Sequence, residues 1–295
     1  MQKQCLRGVI AAIPTPLDAS GNADIPAYLK LAADLLDNGC DALNVLGTTG
    51  EATSFSVEER AAVMTAVAAK LPRTRLMVGT GASAVTDAIA LTRTAASLGF
   101  AGALLLPPFY YKDVPAEGVL AYLQQIAEAT SDSGIALYLY NFPALSGVAY
   151  TPEIIAEALK RIGPRIAGIK DSSGDLPYCR KVATISSDLS VFPATEAALL
   201  EARSGIFAGC ISASANTNAD LCARAFHKGD ATASEQAVAI RGLFAGLNMV
   251  SAVKAMLSSS RSEPSLARTR PPLVALAASQ ADELARKAAA IRAGA

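Results

Sequence analysis

The stretch IAGIKD, residues 166–171, is apolar from its first residue to the lysine near its end. A strand with one face in water alternates apolar and polar residues, whereas a continuous apolar run is typical of a strand covered on both faces. Such strands belong mainly to parallel sheets that carry helices on each side. This run therefore predicts a parallel α/β fold, with Lys170 at the carboxyl end of a strand.

Seven further apolar runs have the same character, and amphipathic segments with helical spacing lie between them. The runs cover residues 8–14, 41–47, 76–81, 102–108, 135–141, 189–193 and 208–213. Ser56 and Glu59 fit a capping box, and Thr151 followed by Pro152 fits a helix start. Eight βα units without a linker predict a (β/α)₈ TIM barrel. An open, doubly wound sheet is the alternative, but the usual glycine-rich loop is missing after the first strand.

The strand pattern ends near residue 230. The remainder is rich in alanine and leucine and has helical spacing interrupted at glycine and proline. We predict a barrel over residues 1–230 and a C-terminal helical extension over residues 231–295 that packs on it.

The composition limits the class of partner. The 295 residues include 26 basic and 26 acidic side chains, so no general attraction to nucleic acid or to an anionic membrane surface is expected. No apolar run approaches the roughly 20 residues of a membrane span, and the N-terminus lacks the long apolar region of a secretory signal. We expect a cytoplasmic protein with a small-molecule ligand.

Metal and thiol chemistry are disfavoured as well. The five cysteines, Cys5 among them, are far apart and form no C-x-x-C pair, which favours reduced, buried thiols. The single histidine, His227, lies at the end of a predicted helix, where it fits an interaction with the helix dipole. We therefore expect no metal, and we assign acid–base chemistry to Tyr, Lys, Asp or Glu.

In a (β/α)₈ barrel the functional side chains lie where the strands end at their carboxyl termini. Here these positions bring together a lysine, tyrosines and a Gly-Thr-Thr-Gly loop. The residues are Gly47, Thr48, Thr49, Gly50, Glu51, Tyr110, Tyr111, Tyr140 and Lys170. Each has an ordinary explanation by itself, such as a simple turn, a core tyrosine or a lysine at the rim that pairs with Asp171.

Together these groups match the needs of a 2-keto acid. Loop N–H groups and hydroxyls can hold a carboxylate. Burial of a lysine favours its neutral amine, which attacks a ketone to form an imine, and a tyrosine can transfer protons. The combination predicts an enzyme that works through a lysine Schiff base.

Three segments resemble the dihydrodipicolinate synthase / N-acetylneuraminate lyase family in order and spacing. They are GTTGE at 47–51, YNFPALSG at 140–147 and GIKDSSGD at 168–175. The resemblance extends from residue 11 through ISASAN at 211–216 into the helical tail. It implies a class I pyruvate-dependent aldolase, a barrel that forms homotetramers and uses no cofactor or metal.

The resemblance also implies roles for individual residues. Lys170 corresponds to the Schiff-base lysine, Tyr140 to the proton-transferring phenol and Thr48 to its hydrogen-bonded relay. The other positions carried over are Thr49 with the amides of Gly47 and Gly50 for the keto-acid carboxylate, the carbonyl of Ile211 near the lysine, and Tyr111 for the site of an adjacent subunit.

Two positions depart from the patterns that separate members of the family. Leu145 stands where synthases carry an arginine that binds the second substrate's carboxylate, and a leucine cannot make that contact. Lyases carry an Asp-Glu pair after the seventh strand, and here Thr195 precedes Glu196, which we retain as a candidate for substrate binding.

These departures favour an aldolase or lyase that makes or breaks a C–C bond in a 2-keto-3-deoxy or 4-hydroxy-2-keto acid, with pyruvate and an aldehyde as partners. Three alternatives stay open. One is 4-hydroxy-tetrahydrodipicolinate synthase, with another cation compensating for Leu145. The second is a keto-deoxy-acid dehydratase, and the third is a non-catalytic barrel that binds keto acids.

Overall fold

Eight parallel strands form one sheet with the order β7-β6-β5-β4-β3-β2-β1-β8. The structure, a computed structural model, describes residues 6–294. The strands are β1 Gly8–Ala12, β2 Ala42–Val45, β3 Leu76–Gly79, β4 Gly102–Leu105, β5 Ala136–Asn141, β6 Ile166–Asp171, β7 Ser190–Pro193 and β8 Gly209–Ser212. At the seam between β7 and β8, the Ala208 N–H donates to the carbonyl oxygen of Val191 at 2.9 Å. The predicted (β/α)₈ barrel is confirmed.

Helices follow the strands around the outside of the barrel. They are α1 Ile25–Asp37, α2 Val57–Ala68, α3 Val85–Ser97, α4 Ala116–Ala129, α5 Pro143–Ser146, α6 Pro152–Ile162, α7 Leu176–Ala183, α8 Leu199–Arg203, α9 Ala215–Ala223, α10 Ala231–Gly242, α11 Met249–Arg261 and α12 Ala278–Ala293. Both predicted helix starts are confirmed. Ser56 and Glu59 form the capping box of α2, and the Thr151 hydroxyl accepts from the Ile154 N–H at the start of α6.

The strands are buried on both faces, which explains their continuous apolar sequence. Side chains such as Ile10, Met77 and Phe192 fill the barrel interior. Their neighbours in the chain, such as Val9 and Val191, pack outward against the helices. Several strands end earlier than their apolar runs, and β4 stops at Leu105 although the run continues to residue 108. The apolar residues beyond the strand belong to the loop at the barrel mouth.

Helices α10 and α11 reach the carboxyl end of the barrel, and α12 packs against both of them. Lys254 of α11 is fully buried and donates to the carbonyl oxygen of Thr15 at 2.9 Å, directly after β1. The last helix, α12, starts only at Ala278, and the residues between Pro271 and Ala278 are irregular because proline disfavours helix continuation. Among residues 6–294, no helix has the length and hydrophobicity that crossing a bilayer requires.

Candidate active site

A cavity of about 680 Å³ opens at the carboxyl ends of the strands. Six of the predicted site residues line this cavity, although they come from distant parts of the chain. They are Thr48, Thr49, Tyr140, Leu145, Lys170 and Ile211. The barrel closure brings the ends of β2, β5, β6 and β8 to one face, so this convergence follows from the fold.

Lys170 is 3% exposed and lies beside Tyr140. The two residues are register partners on β6 and β5, and the lysine Nζ lies 4.2 Å from the centroid of the tyrosine ring. A lysine normally keeps its ammonium in water, so a lysine buried at the base of a cavity is unusual and points to a functional role. The position suits an amine that attacks a ligand carbonyl.

Tyr140 links the lysine to the loop after β2. Its hydroxyl lies 3.1 Å from Oγ1 of Thr48, and either oxygen can donate in this hydrogen bond. Tyr140 itself is 3% exposed. The phenol is therefore held next to the amine with a second hydroxyl behind it, which is the arrangement a short proton relay requires.

The Gly-Thr-Thr-Gly loop is bounded by two residues with unusual backbone angles. Leu46 has φ 49° and Glu51 has φ 56°, values that cost energy in residues other than glycine. A Cβ on Gly50 would lie 3.0 Å from Cα of Leu46, so a side chain there would crowd the backbone of the tight turn. Within residues 6–294 the N–H groups of Thr48 and Thr49 find no acceptor. They are available to bind a carboxylate.

Four predicted site residues do not line this cavity, and Gly50 of the tight turn is one of them. Gly47 lines an adjoining cavity of about 250 Å³, shared with Thr48 and Tyr140. Tyr111 is 73% exposed on the loop after β4, where it makes an edge-to-face contact with Tyr110. Glu196 is fully buried behind the cavity wall.

Glu196 organises a polar network between the ends of β7 and β8. Its Oε1 accepts hydrogen bonds from the hydroxyls of Ser212 and Ser214, each at 2.7 Å. Nη1 of Arg241 donates to the same two hydroxyls at 3.2 and 3.1 Å and lies 3.5 Å from Oε2 of Glu196. Glu196 thus positions Arg241, and the arginine reaches the cavity in its place.

A fully buried ion pair ties the loop after β2 to the C-terminal helices. Lys254 Nζ donates to Oε1 of Glu51, and both side chains are fully buried. Oε2 of Glu51 accepts from the backbone N–H of Arg270 at 2.7 Å. Burial lowers the pKa of Lys254, and the Glu51 carboxylate opposes this shift. The pair holds one edge of the candidate carboxylate-binding loop in place.

His227 lies away from the cavity. It belongs to a π-helical turn, Arg224–Lys228, and its Nε2 lies 3.1 Å from Oδ2 of Asp41, which precedes β2 at the amino end of the barrel. The thiol of Cys179 does reach the cavity, but burial raises its pKa, so it stays protonated. The described cysteines are free and buried, and Cys5 lies outside the described residues. Within residues 6–294 no cluster of three or more His, Cys, Asp or Glu side chains could hold a metal ion.

The sequence patterns missed the contribution of the C-terminal helices to the cavity. Arg241, Asn248, Met249 and Val250 all line it. An arginine on an amphipathic helix normally faces solvent, and no local pattern distinguishes Arg241 from such a residue. Only the packing of α10 and α11 over the barrel mouth identifies these side chains.

The comparison with protein families gives one match over nearly the whole chain. The sequence profile of the Dihydrodipicolinate synthetase family matches residues 5–291. Among curated proteins, a protein of Chloroflexus aurantiacus named "Uncharacterized DapA-like lyase" is 34% identical over 274 residues, which is 90% of each chain.

A synthase and a solved structure extend this comparison. The 4-hydroxy-tetrahydrodipicolinate synthase of Pseudomonas aeruginosa is 35% identical over 235 residues, 78% of each chain. The crystal structure of YagE, a prophage protein of the dihydrodipicolinic acid synthase family from E. coli K12 in complex with pyruvate, superposes with a TM-score of 0.85. It is 23% identical, and the match covers 97% of this chain and 99% of that one.

Proposed function

The chain belongs to the Dihydrodipicolinate synthetase family and is a class I pyruvate aldolase or lyase; on this premise, we propose that it makes or breaks a C–C bond in a 2-keto-3-deoxy or 4-hydroxy-2-keto acid. We further propose Lys170 as the Schiff-base residue, Tyr140 and Thr48 as the proton relay, and Thr49 with its neighbouring amides as the carboxylate site.

The observation that carries this proposal is the arrangement around Lys170. The buried amine lies 4.2 Å from the ring centroid of Tyr140, whose hydroxyl bonds to Thr48. Thr48 and Thr49, with their free N–H groups, line the same cavity as the lysine. Nucleophile, proton carrier and anion site thus converge where one small keto acid could contact all three.

The reaction begins when the neutral amine of Lys170 attacks C2 of the keto acid. The hydroxyl of Tyr140 supplies the proton with which the C2 oxygen leaves as water, so a protonated imine and a tyrosine phenolate result. The C3–C4 bond then breaks, its electron pair moves toward the imine nitrogen, and an enamine and an aldehyde result. Tyr140 takes the proton of the C4 hydroxyl as the aldehyde forms. Return of that proton to C3 and hydrolysis of the imine by water release pyruvate.

Leu145 favours cleavage of such acids over lysine-precursor synthesis. Its side chain lines the cavity mouth and is 61% exposed. The second substrate of a synthase carries a carboxylate, and loss of a charge-assisted contact costs about 1.5–3 kcal/mol. The synthase stays the second candidate because a curated synthase is 35% identical. Dehydration on the same imine is a near variant of the main proposal.

A substrate panel tests the proposal. We expect pyruvate release from 2-keto-3-deoxy acids to exceed the condensation of pyruvate with aspartate semialdehyde, both measured as kcat/KM. We also expect borohydride to trap pyruvate on the chain, with the adduct located on Lys170 by mass spectrometry. A faster condensation would select the synthase, and absence of any adduct would select a non-catalytic binding protein.

Replacement of Tyr140 by phenylalanine separates imine formation from bond cleavage. Tyr140→Phe keeps the aromatic ring beside Lys170 but removes the hydroxyl that bonds to Thr48. We expect the borohydride adduct with pyruvate to persist while kcat falls by about 100- to 1,000-fold, a typical loss for a proton-transfer group. Tyr178→Phe, which removes a hydroxyl bonded to the carbonyl of Tyr150, is the matched control. An unchanged kcat in Tyr140→Phe would remove Tyr140 from the mechanism.

The remaining assignments are also proposals. Tyr111 and Tyr110 form an exposed aromatic pair, which supports insertion of Tyr111 into the site of an adjacent subunit in a homotetramer. Free, buried cysteines are consistent with a cytoplasmic location. The imine chemistry itself requires no metal or added cofactor. Contacts of α11 with the barrel support a division into a catalytic barrel, residues 1–230, and a packed extension, residues 231–295.

A further inference from the structure

Arg241 of α10 lines the active-site cavity, and the imine chemistry gives it no task. It approaches over the ends of β7 and β8, where Glu196, Ser212 and Ser214 bind its Nη1. Leu145 lies on α5, directly after β5. Because β5 and β7 are the two neighbours of β6, the leucine and the arginine lie on opposite flanks of Lys170.

The guanidinium is fixed before any ligand binds. Nη1 is held by two serine hydroxyls and a fully buried carboxylate, and that carboxylate is itself bonded to both serines. A surface arginine loses rotamer freedom when it binds a ligand, whereas an arginine held in this way loses much less. The network therefore prepares Arg241 for binding in one orientation.

Part of the guanidinium is left for a ligand. Within residues 6–294 every side-chain hydrogen bond of Arg241 goes through Nη1, so the N–H groups on Nε and Nη2 are unused. The side chain is 30% exposed. Two donors on one edge of a guanidinium match the two oxygens of a carboxylate.

We propose that Arg241 binds a carboxylate at the distal end of the substrate, so that the aldehyde half carries a second acid group. The substrate is then a 2-keto-3-deoxy diacid, with one carboxylate at the Thr48–Thr49 loop and the other at Arg241. This inference rests on the proposed function. It places a cation on the opposite flank of the lysine from Leu145. The same cation would meet the condition for the synthase alternative, so the comparison with condensation of aspartate semialdehyde decides between the two.

A singly charged carboxylate fits better than a phosphate. Among the described residues, Lys170 and Arg241 are the two basic side chains that line the cavity. Glu196 balances part of the charge of Arg241. A phosphate carries up to two charges and three acceptor oxygens. The free edge of one guanidinium does not satisfy such a group by itself.

The test measures the substrate preference of three variants and the parent enzyme. Pyruvate release is followed from three 2-keto-3-deoxy acids of equal chain length that end in a carboxylate, a hydroxymethyl group or a phosphate ester. The variants are Arg241→Met, Arg241→Lys and Arg180→Met. Arg180 forms an exposed ion pair with Glu201 and lines neither cavity, so it is the matched control.

We expect the parent to prefer the diacid, measured as the ratio of kcat/KM for the diacid over that for the hydroxymethyl compound. Arg241→Met should lower this ratio by about 10- to 100-fold, the usual effect of one charge-assisted contact. Arg241→Lys should restore part of it, and Arg180→Met should keep it. Because both rates come from one preparation, partial unfolding of a variant cancels from the ratio.

Three results would overturn the inference. These are an equal loss on the diacid and hydroxymethyl substrates, a parent enzyme without preference for the diacid, and a preference for the phosphate ester that Arg241→Met removes. Trapping of pyruvate by borohydride separates these results from failure of the proposed function. If the adduct forms on Lys170 but the enzyme does not prefer the diacid, only the role of Arg241 is rejected. If no adduct forms, the imine chemistry itself is rejected.

Discussion

Lys170→Ala should abolish trapping of pyruvate by borohydride and lower pyruvate release by on the order of 10⁴-fold or more, as removal of an enzyme nucleophile typically does. Alanine keeps the strand but removes the amine that lies 4.2 Å from the ring centroid of Tyr140. Without it no imine forms, and the C3–C4 bond has no electron acceptor. Mass spectrometry of the borohydride-treated protein and a pyruvate-release assay measure the two effects.

The matched control for this experiment is Lys160→Ala. Lys160 lies on α6 with its side chain 78% exposed, and it pairs with Glu157 at the surface. We expect this variant to keep both the adduct and the parent rate. If Lys170→Ala retained full activity, or if the adduct formed on another lysine, the assignment of Lys170 would be wrong.

Glu51→Gln should lower the free energy of unfolding by about 3–5 kcal/mol, because it leaves the ammonium of Lys254 buried without a counter-ion. The glutamine amide keeps one acceptor oxygen, so its NH2 group would also face the N–H donor of either Lys254 or Arg270. Urea unfolding followed by circular dichroism measures the loss. We also expect a raised KM, because Glu51 ends the loop that is proposed to hold the keto-acid carboxylate.

Glu283→Gln provides the same chemical change at an exposed ion pair. Glu283 and Lys287 lie on α12 with 51% of each side chain exposed, and such pairs contribute about 0–1 kcal/mol. In the double variant Glu51→Gln/Lys254→Met both buried charges are gone, so part of the lost stability should return. A loss for Glu51→Gln no larger than that for Glu283→Gln would show that the buried pair does not stabilise the fold.

Much of the barrel could be predicted from local patterns. The run IAGIKD coincides with β6, Ile166–Asp171, because every side chain in it is buried whichever face it points to. Ser56 and Thr151 cap their helices as predicted, since capping depends on residues only two or three positions away. Strand ends were less predictable, because the apolar loops at the barrel mouth look like strand continuations.

The candidate site was partly predictable for a similar reason. Lys170 and Tyr140 follow from the rule that strand ends meet at one face, and Thr48 follows from the turn after β2. Arg241 and Lys254 did not follow from any such rule. Both lie on helices whose sequences do not reveal which side chain turns toward the barrel mouth.

By itself, the sequence determined the order of strands and helices, the family, and the strand ends that carry the proposed imine chemistry. These features depend on hydrophobic periodicity and on short motifs, which are written in neighbouring residues. The tertiary structure alone decided that Glu196 faces Arg241 instead of the cavity, and that Lys254 is buried against Glu51. The first pairing joins residues that are 45 positions apart in the chain, and the second joins residues that are 203 positions apart. Only the packing of the C-terminal helices brings these residues together.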